Sequence, residues 1–180
     1  MATHEIVIAG FGGQGLLFAG KVLAHAGMIE DREVSWLPSY GPEMRGGTAN
    51  CNVILSDCPV GSPIVQHPDV LIVMNAPSLD KYEPLAAAGA KVFIDSTLIS
   101  REVERDDIEA FYIPATQMAT DMGFHNLANM VLLGAVLAEC KLVADATLEQ
   151  ALHETIPPRK AELFDANMAA IEAGRNYRAQ

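Results

Sequence analysis

The stretch that most restricts the fold is AGFGGQG, Ala9 to Gly15. It sits between a short β-branched run at Glu5 to Ala9 and a segment from Gln14 to Ile29 with Leu16, Phe18, Val22, Leu23 and Ala26 at helical spacing. Gly10, Gly12 and Gly15 occupy the three positions of a G-x-G-x-x-G pattern, and Gly13 is an additional glycine. Glycine reaches backbone conformations closed to other residues, so a strand can turn tightly into a helix and the backbone of the turn can approach a ligand. The helix beginning near Gln14 then offers unpaired N–H groups and the positive end of its dipole, which suit a phosphate. Gly10, Gly12, Gly13, Gln14 and Gly15 are therefore candidate binding residues. Close packing of helix on strand is the alternative use of the same glycines.

Further along, strands and helices keep alternating. Glu33 to Leu37 (EVSWL) reads as a strand, and so does Thr48 to Leu55, whose alternation of Ala49, Cys51, Val53 and Leu55 with polar residues places it near an edge or a partner. Val70 to Met74 (VLIVM) is a continuous apolar run of the kind buried in parallel sheets. Pro77 to Ala88 reads as helix, and Lys91 to Ile94 and Ile108 to Ile113 as strands. Asn126 to Cys140 is a helix apolar on nearly every side, to be covered by the domain's own sheet or partly by another subunit. A short helix at 147–155, an interruption at Pro157 and Pro158, and a last helix from Lys160 to Ala173 complete the chain. The pattern predicts one Rossmann-like, three-layer α/β domain over residues 1–180, with a mostly parallel sheet, helices on both faces, and the C-terminal helix, about 160–175, packing on it. Ligands of such sheets bind beyond the carboxyl ends of the strands.

A dinucleotide asks for more than the glycines, because an Asp or Glu at the end of the second strand, roughly 20 residues on, must take the ribose hydroxyls. That strand ends in Trp36, Leu37, Pro38 and Ser39, while Glu30 and Asp31 precede it and belong at its opposite end. The nicotinamide dinucleotide reading is weakened accordingly. The loop SYGPEMRGG, Ser39 to Gly47, follows this strand and should emerge beside the glycine turn. Its Tyr40 and Arg45 join the candidate binding residues, since a guanidinium can grip a phosphate or carboxylate in bidentate fashion. An internal ion pair with Glu43, or plain solvation, is the competing use of Arg45.

Charge and cysteine content exclude other roles. Across 180 residues, 12 Lys and Arg face 23 Asp and Glu, a formal charge of -11 with no basic stripe, so nucleic acid and anionic membranes are poor partners. Cys51, Cys58 and Cys140 lack metal-site spacing and the even count of a disulfide framework, which points to a reducing compartment. Cys51 should lie on the apolar face of its strand, Cys58 in a turn and Cys140 in the core. His25, one helical turn after Lys21, is expected to be solvated with it. No apolar run reaches the ~20 residues needed to cross a bilayer, and the start of the chain has no signal-peptide pattern, so a cytoplasmic protein is expected. No catalytic residue and no metal ligand set is assigned.

Taken together, GFGGQGLLFAGKVLAHAG and PSYGPEMRGGTANCNVILSD resemble the γ subunit, or γ domain, of the 2-oxoacid:ferredoxin oxidoreductases. VLIVMNAPSLDKY, IPAT and ANMVLLGAVLA are similar to later parts of the same family in the same order, with GFHN at Gly123 to Asn126 as a departure. The resemblance implies membership of a complex that oxidatively decarboxylates a 2-oxoacid to its acyl-coenzyme A and passes the electrons to ferredoxin. It implies partners, namely α and β subunits and in some enzymes a ferredoxin-like δ subunit, that hold thiamine diphosphate, magnesium and iron–sulfur clusters. It gives this chain a structural role on the coenzyme A side, with no firmly bound cofactor, and the loop SYGPEMRGG favours the 2-oxoglutarate type. The isolated chain is expected to be inactive, as a monomer or a homo-oligomer. A free-standing nucleotide-binding dehydrogenase and a purely structural interaction domain remain the alternatives.

Overall fold

The computed structural model describes residues 3–39 and 48–177. Among these residues six strands form one sheet in the order β2-β3-β1-β4-β5-β6. They are β1 (Thr3–Phe11), β2 (Glu33–Ser39), β3 (Thr48–Ser56), β4 (Val70–Val73), β5 (Lys91–Asp95) and β6 (Glu109–Ile113). Pairing is parallel from β1 through β4 and β5 to β6, with Ile8 opposite Ile72, Ile72 opposite Phe93 and Phe93 opposite Phe111. β3 runs antiparallel to both β1 and β2, so β2 points the same way as β1 but lies one strand further out. The sheet is mostly parallel, as the alternating pattern implies, with β3 as the one reversed strand. β3 is next to the edge strand, in keeping with its polar face.

Among the described residues six α-helices accompany the sheet: α1 (Leu16–Ile29), α2 (Ala76–Tyr82), α3 (Ala115–Asp121), α4 (Ala128–Cys140), α5 (Asp145–Thr155) and α6 (Leu163–Asn176). The two-residue period of β1 divides the interior. Ile6 and Ile8 face a large core shared with α1, α3, α4, α5 and α6, whereas Val7 and Ala9 face a smaller one formed with Leu71, Val92, Leu79 and Ile99. Helices therefore cover both faces unequally, the second face carrying, among the described residues, only α2, a 3-10 turn and irregular chain. α2 stops at Tyr82, short of the predicted Ala88, because Pro84 lacks the N–H that a continuing helix needs and the chain tightens into a 3-10 turn at Glu83–Leu85.

α4 settles an alternative left open by its composition. Every residue from Ala128 to Leu137 is buried within this one chain, among α1, α3, α6 and β5. Gly134 and Gly174 let α4 and α6 meet backbone to backbone, since a Cβ on either would enter the carbonyl of Ile171 or Val131 on the other helix. Leu127 and Asn129 line one cavity with Leu163 and Asn167, while Ala135 and Ala138 line another with Gly174 and Tyr177. The two helices thus lie side by side with their first turns at the same end.

Three side chains refine the sequence reading. Lys21 is exposed, but His25 is half-buried and places Nε2 2.6 Å from Glu154 Oε2, tying α1 to α5 instead of facing solvent alone. Cys140 is half-buried rather than fully in the core, and Cys51 is wholly buried. Among the described residues no helix is long and apolar enough to cross a membrane.

Candidate functional site

β1 ends at Phe11, and the chain reaches α1 through Gly12, Gly13, Gln14 and Gly15. Gly13 at φ 93° and Gly15 at φ 76° take left-handed conformations that side chains disfavour, which is why the turn is so short. Gln14 folds its amide back beneath the turn. Its Oε1 accepts from Phe11 N–H at 2.6 Å, and its Nε2 donates to the Met74 carbonyl at 3.1 Å, just past the end of β4. Gly10 leaves the room for this, because a Cβ there would run into Gln14 Oε1 and come within 3.0 Å of Met74 Cβ. Gly15 is equally confined, with the position of a Cβ 2.6 Å from Asn129 Nδ2. Gly13, by contrast, is exposed and has nothing among the described residues within 4 Å of that position. Gly10, Gln14 and Gly15 thus shape the turn from within, while Gly13 faces outward.

Residues 40–47, and with them Tyr40, Glu43 and Arg45, lie outside the described residues. The ends of the neighbouring strands are described, and they locate the segment's anchor points. Thr48 pairs with Phe11, and Asn50 pairs with both Ala9 and Ser39. Ser39 and Thr48 therefore stand at the same edge of the sheet as the glycine turn, with Ser39 two strand spacings, roughly 10 Å, from β1. At that edge β2 ends in Leu37, Pro38 and Ser39 without a carboxylate. Glu30 and Asp31 precede β2 at the opposite edge, where Glu30 Oε1 accepts from Ala144 N–H at 2.7 Å.

A cavity of about 710 Å³ opens beside the turn. Gly13 and Gly15 form one side, and the starts of α4 and α6 the other. Among the described residues no side chain caps the first N–H groups of α1, α4 or α6. Phe18, Phe124 and Leu163 give the cavity apolar walls, and Arg159 and Lys160 stand exposed at its rim. His125 and Asn126, from the stretch GFHN, line it as well. The sequence marked the glycines but not Asn129, Asn167, Arg159 or Lys160. No linear spacing joins these positions; the alignment of α4 with α6 does.

Among the described residues no cluster of His, Cys, Asp and Glu is arranged to hold a metal. Cys51 lies beneath α1 with Sγ 3.5 Å from the Leu16 carbonyl, and burial pushes its thiol up to about 12 against a weaker opposing hydrogen bond with Trp36.

Known proteins are similar to this chain along nearly all of its length. Ketoisovalerate oxidoreductase subunit VorA of Methanothermobacter thermautotrophicus is 40% identical over 176 residues, 96% of this chain, although the chain spans only 36% of that relative. 2-Oxoglutarate synthase subunit KorC of Methanothermobacter marburgensis is 36% identical over 178 residues, covering 95% of this chain and 94% of the relative. The crystal structure of the keto/oxoacid ferredoxin oxidoreductase γ subunit from Geobacter sulfurreducens PCA superposes with a TM-score of 0.80 at 29% identity, over 95% of each chain. The family model for pyruvate ferredoxin/flavodoxin oxidoreductase matches residues 5–177, and the chain belongs to that family.

Proposed function

We propose that this chain is the γ subunit of a 2-oxoacid:ferredoxin oxidoreductase, a noncatalytic subunit that helps bind coenzyme A. One observation carries the reading. Among the described residues the glycine turn delivers an uncapped start of α1 to the carboxyl edge of the sheet, and no carboxylate stands at the end of β2 to hold a ribose. Such an end favours a phosphate without the second anchor that a nicotinamide dinucleotide requires. The α1 N–H groups and Arg45 then hold a phosphate of coenzyme A, each charge-assisted contact contributing about 1.5–3 kcal/mol. Thiamine diphosphate with its magnesium, the iron–sulfur clusters and the docking of ferredoxin belong to partner subunits, and the complex works in the cytoplasm.

2-Oxoglutarate is the favoured substrate, because the KorC relative matches end to end whereas VorA matches over only about a third of its own length. The higher identity to VorA makes a branched-chain 2-oxoacid the second reading. Steady-state turnover of the assembled complex at varied coenzyme A tests the binding role. Arg45→Ala raises the coenzyme A requirement about tenfold, the factor that ~1.4 kcal/mol implies. Gly12→Val raises it too, and size-exclusion chromatography checks assembly. An unchanged requirement in fully assembled variants leaves the glycine turn a packing device.

A further inference from the structure

We propose that the free edge of β2 receives an extended segment of another subunit, which continues the sheet there as a further strand. That segment has an apolar centre and carries Lys or Arg at the end beside Asp31 and Glu33. The proposal rests on this chain being one subunit of a larger complex, and adds the surface by which it is held.

β2 is the last strand of the sheet and pairs with β3 on one side only, so among the described residues the backbone groups on its other side meet no strand. Sheet edges that face water are ordinarily blunted by charge, and the opposite edge is. There Glu109 opens β6, and Lys91 Nζ stands 3.8 Å from its carboxylate and 5.6 Å from the centre of the Phe111 ring. β2 has no such guard: from Val34 to Ser39 it reads VSWLPS, without an acid or a base. Pro38 removes an N–H only near the end of the strand.

The side chains along this edge suit a protein partner. Trp36, the only tryptophan in the sequence, is 37% exposed at the middle of the strand, with Val34, Leu37 and Pro38 half-buried around it. Its indole lies over Gly20 of α1, where a Cβ would come within 3.2 Å of Nε1, so the ring is held in place before anything docks. Met28, next to the Gly27 that packs on Val34, is 61% exposed. A fixed, half-open tryptophan among apolar neighbours is the kind of anchor on which protein–protein contacts concentrate their energy.

Charge decides between occupants. At the start of β2 Asp31 and Glu33 are exposed, and Arg32 is already engaged with Asp57 at 3.8 Å, whereas the other end is uncharged through Ser39. A second copy in antiparallel pairing would set its own acids beside Pro38 and Ser39, match none of them with a base, and bring a further formal charge of -11. A strand of a different subunit, basic at one end, answers both carboxylates and gains main-chain hydrogen bonds along the edge.

Hydrogen exchange read by mass spectrometry, on the isolated full-length chain and on the assembled complex, tests this. The fast-exchanging amides of residues 33–39 should slow about tenfold or more on assembly. Trp36→Ala should weaken assembly by roughly tenfold or more. Asp31→Asn combined with Glu33→Lys, a change confined to exposed side chains, should weaken it several-fold, circular dichroism confirming that each isolated variant is folded. Unchanged exchange at residues 33–39, or variants that assemble like the parent chain, overturns the proposal, as does protection of the same residues in a homodimer of the isolated chain. A complex that turns over with coenzyme A while residues 33–39 stay unprotected sinks this inference and spares the γ-subunit role. Protection of residues 33–39 in a complex that oxidises no 2-oxoacid does the reverse, and a chain that joins no complex overturns both.

Discussion

Asn129 donates from Nδ2 to the carbonyl of Gly15 at 3.0 Å, so the second residue of α4 holds the left-handed residue that begins α1. The contact spans 114 positions of sequence and joins the glycine turn to the helix pair on its far side. Any side chain at Gly15 must both adopt φ 76° and displace the Asn129 amide.

Gly15→Ala is expected to destabilise the chain by about 2–3 kcal/mol, combining roughly 1–2 kcal/mol for the left-handed backbone with the displaced contact. Urea denaturation measures the loss. Shortening the neighbour with Asn129→Ala should reduce the cost of Gly15→Ala in a double-mutant cycle. Strictly additive losses would show that the two residues do not press on each other.

Glu83 gives stability a pH dependence. Its carboxyl is 4% exposed, and burial alone would raise its pKa, but backbone N–H groups of Glu104 and Arg105 and the guanidinium of Arg101 at 2.8 Å outweigh burial and hold it below the usual 4.5. A carboxyl with a depressed folded-state pKa contributes stability that is fully present above its unfolded value and is lost as pH falls through the folded one. Glu83→Gln should therefore destabilise the chain at pH 7 by about 1–3 kcal/mol. The difference from the parent should shrink below about pH 4.5. Urea melts across pH 3–7 check both, and a difference independent of pH would assign the effect to packing.

Much of the fold was legible because its signals are local. β1, β4 and β5 announce themselves as apolar runs, and the turn after β1 as glycines. α3 was not foreseen: it is seven residues with little apolar period, and it is held from outside by Asp95, whose carboxylate accepts from Thr116 Oγ1 at 2.5 Å. The place of β3 between β1 and β2 is a long-range pairing that no spacing encodes. At the site the same division holds. Gly13 could be read from the sequence, whereas Asn129, Asn167 and Lys160 reach it only through the approach of α4 to α6 at Gly134 and Gly174.

Thiol chemistry should follow burial. Cys51 is closed off under α1 with its thiol pushed up to about 12, and burial of Cys140 pushes that thiol up to about 11 despite the nearby Lys91. At pH 8 Cys51 therefore stays a thiol, the unreactive form. An aromatic disulfide reagent should label Cys58 first in the native chain and all three cysteines after denaturation. Fast native labelling of Cys51 would mean that α1 lifts from the sheet.

The central claim is that this chain serves a ferredoxin-linked oxidoreductase from its coenzyme A side. Its most direct test is to purify the tagged chain from its native cells and assay the eluate for ferredoxin reduction with 2-oxoglutarate and with a branched-chain 2-oxoacid, with and without coenzyme A. The account predicts partner subunits bearing thiamine diphosphate and iron–sulfur clusters, oxidation of one of these acids only when coenzyme A is present, and no colour or activity in the separated chain. A chain that elutes alone and binds NAD or NADP tightly would contradict it.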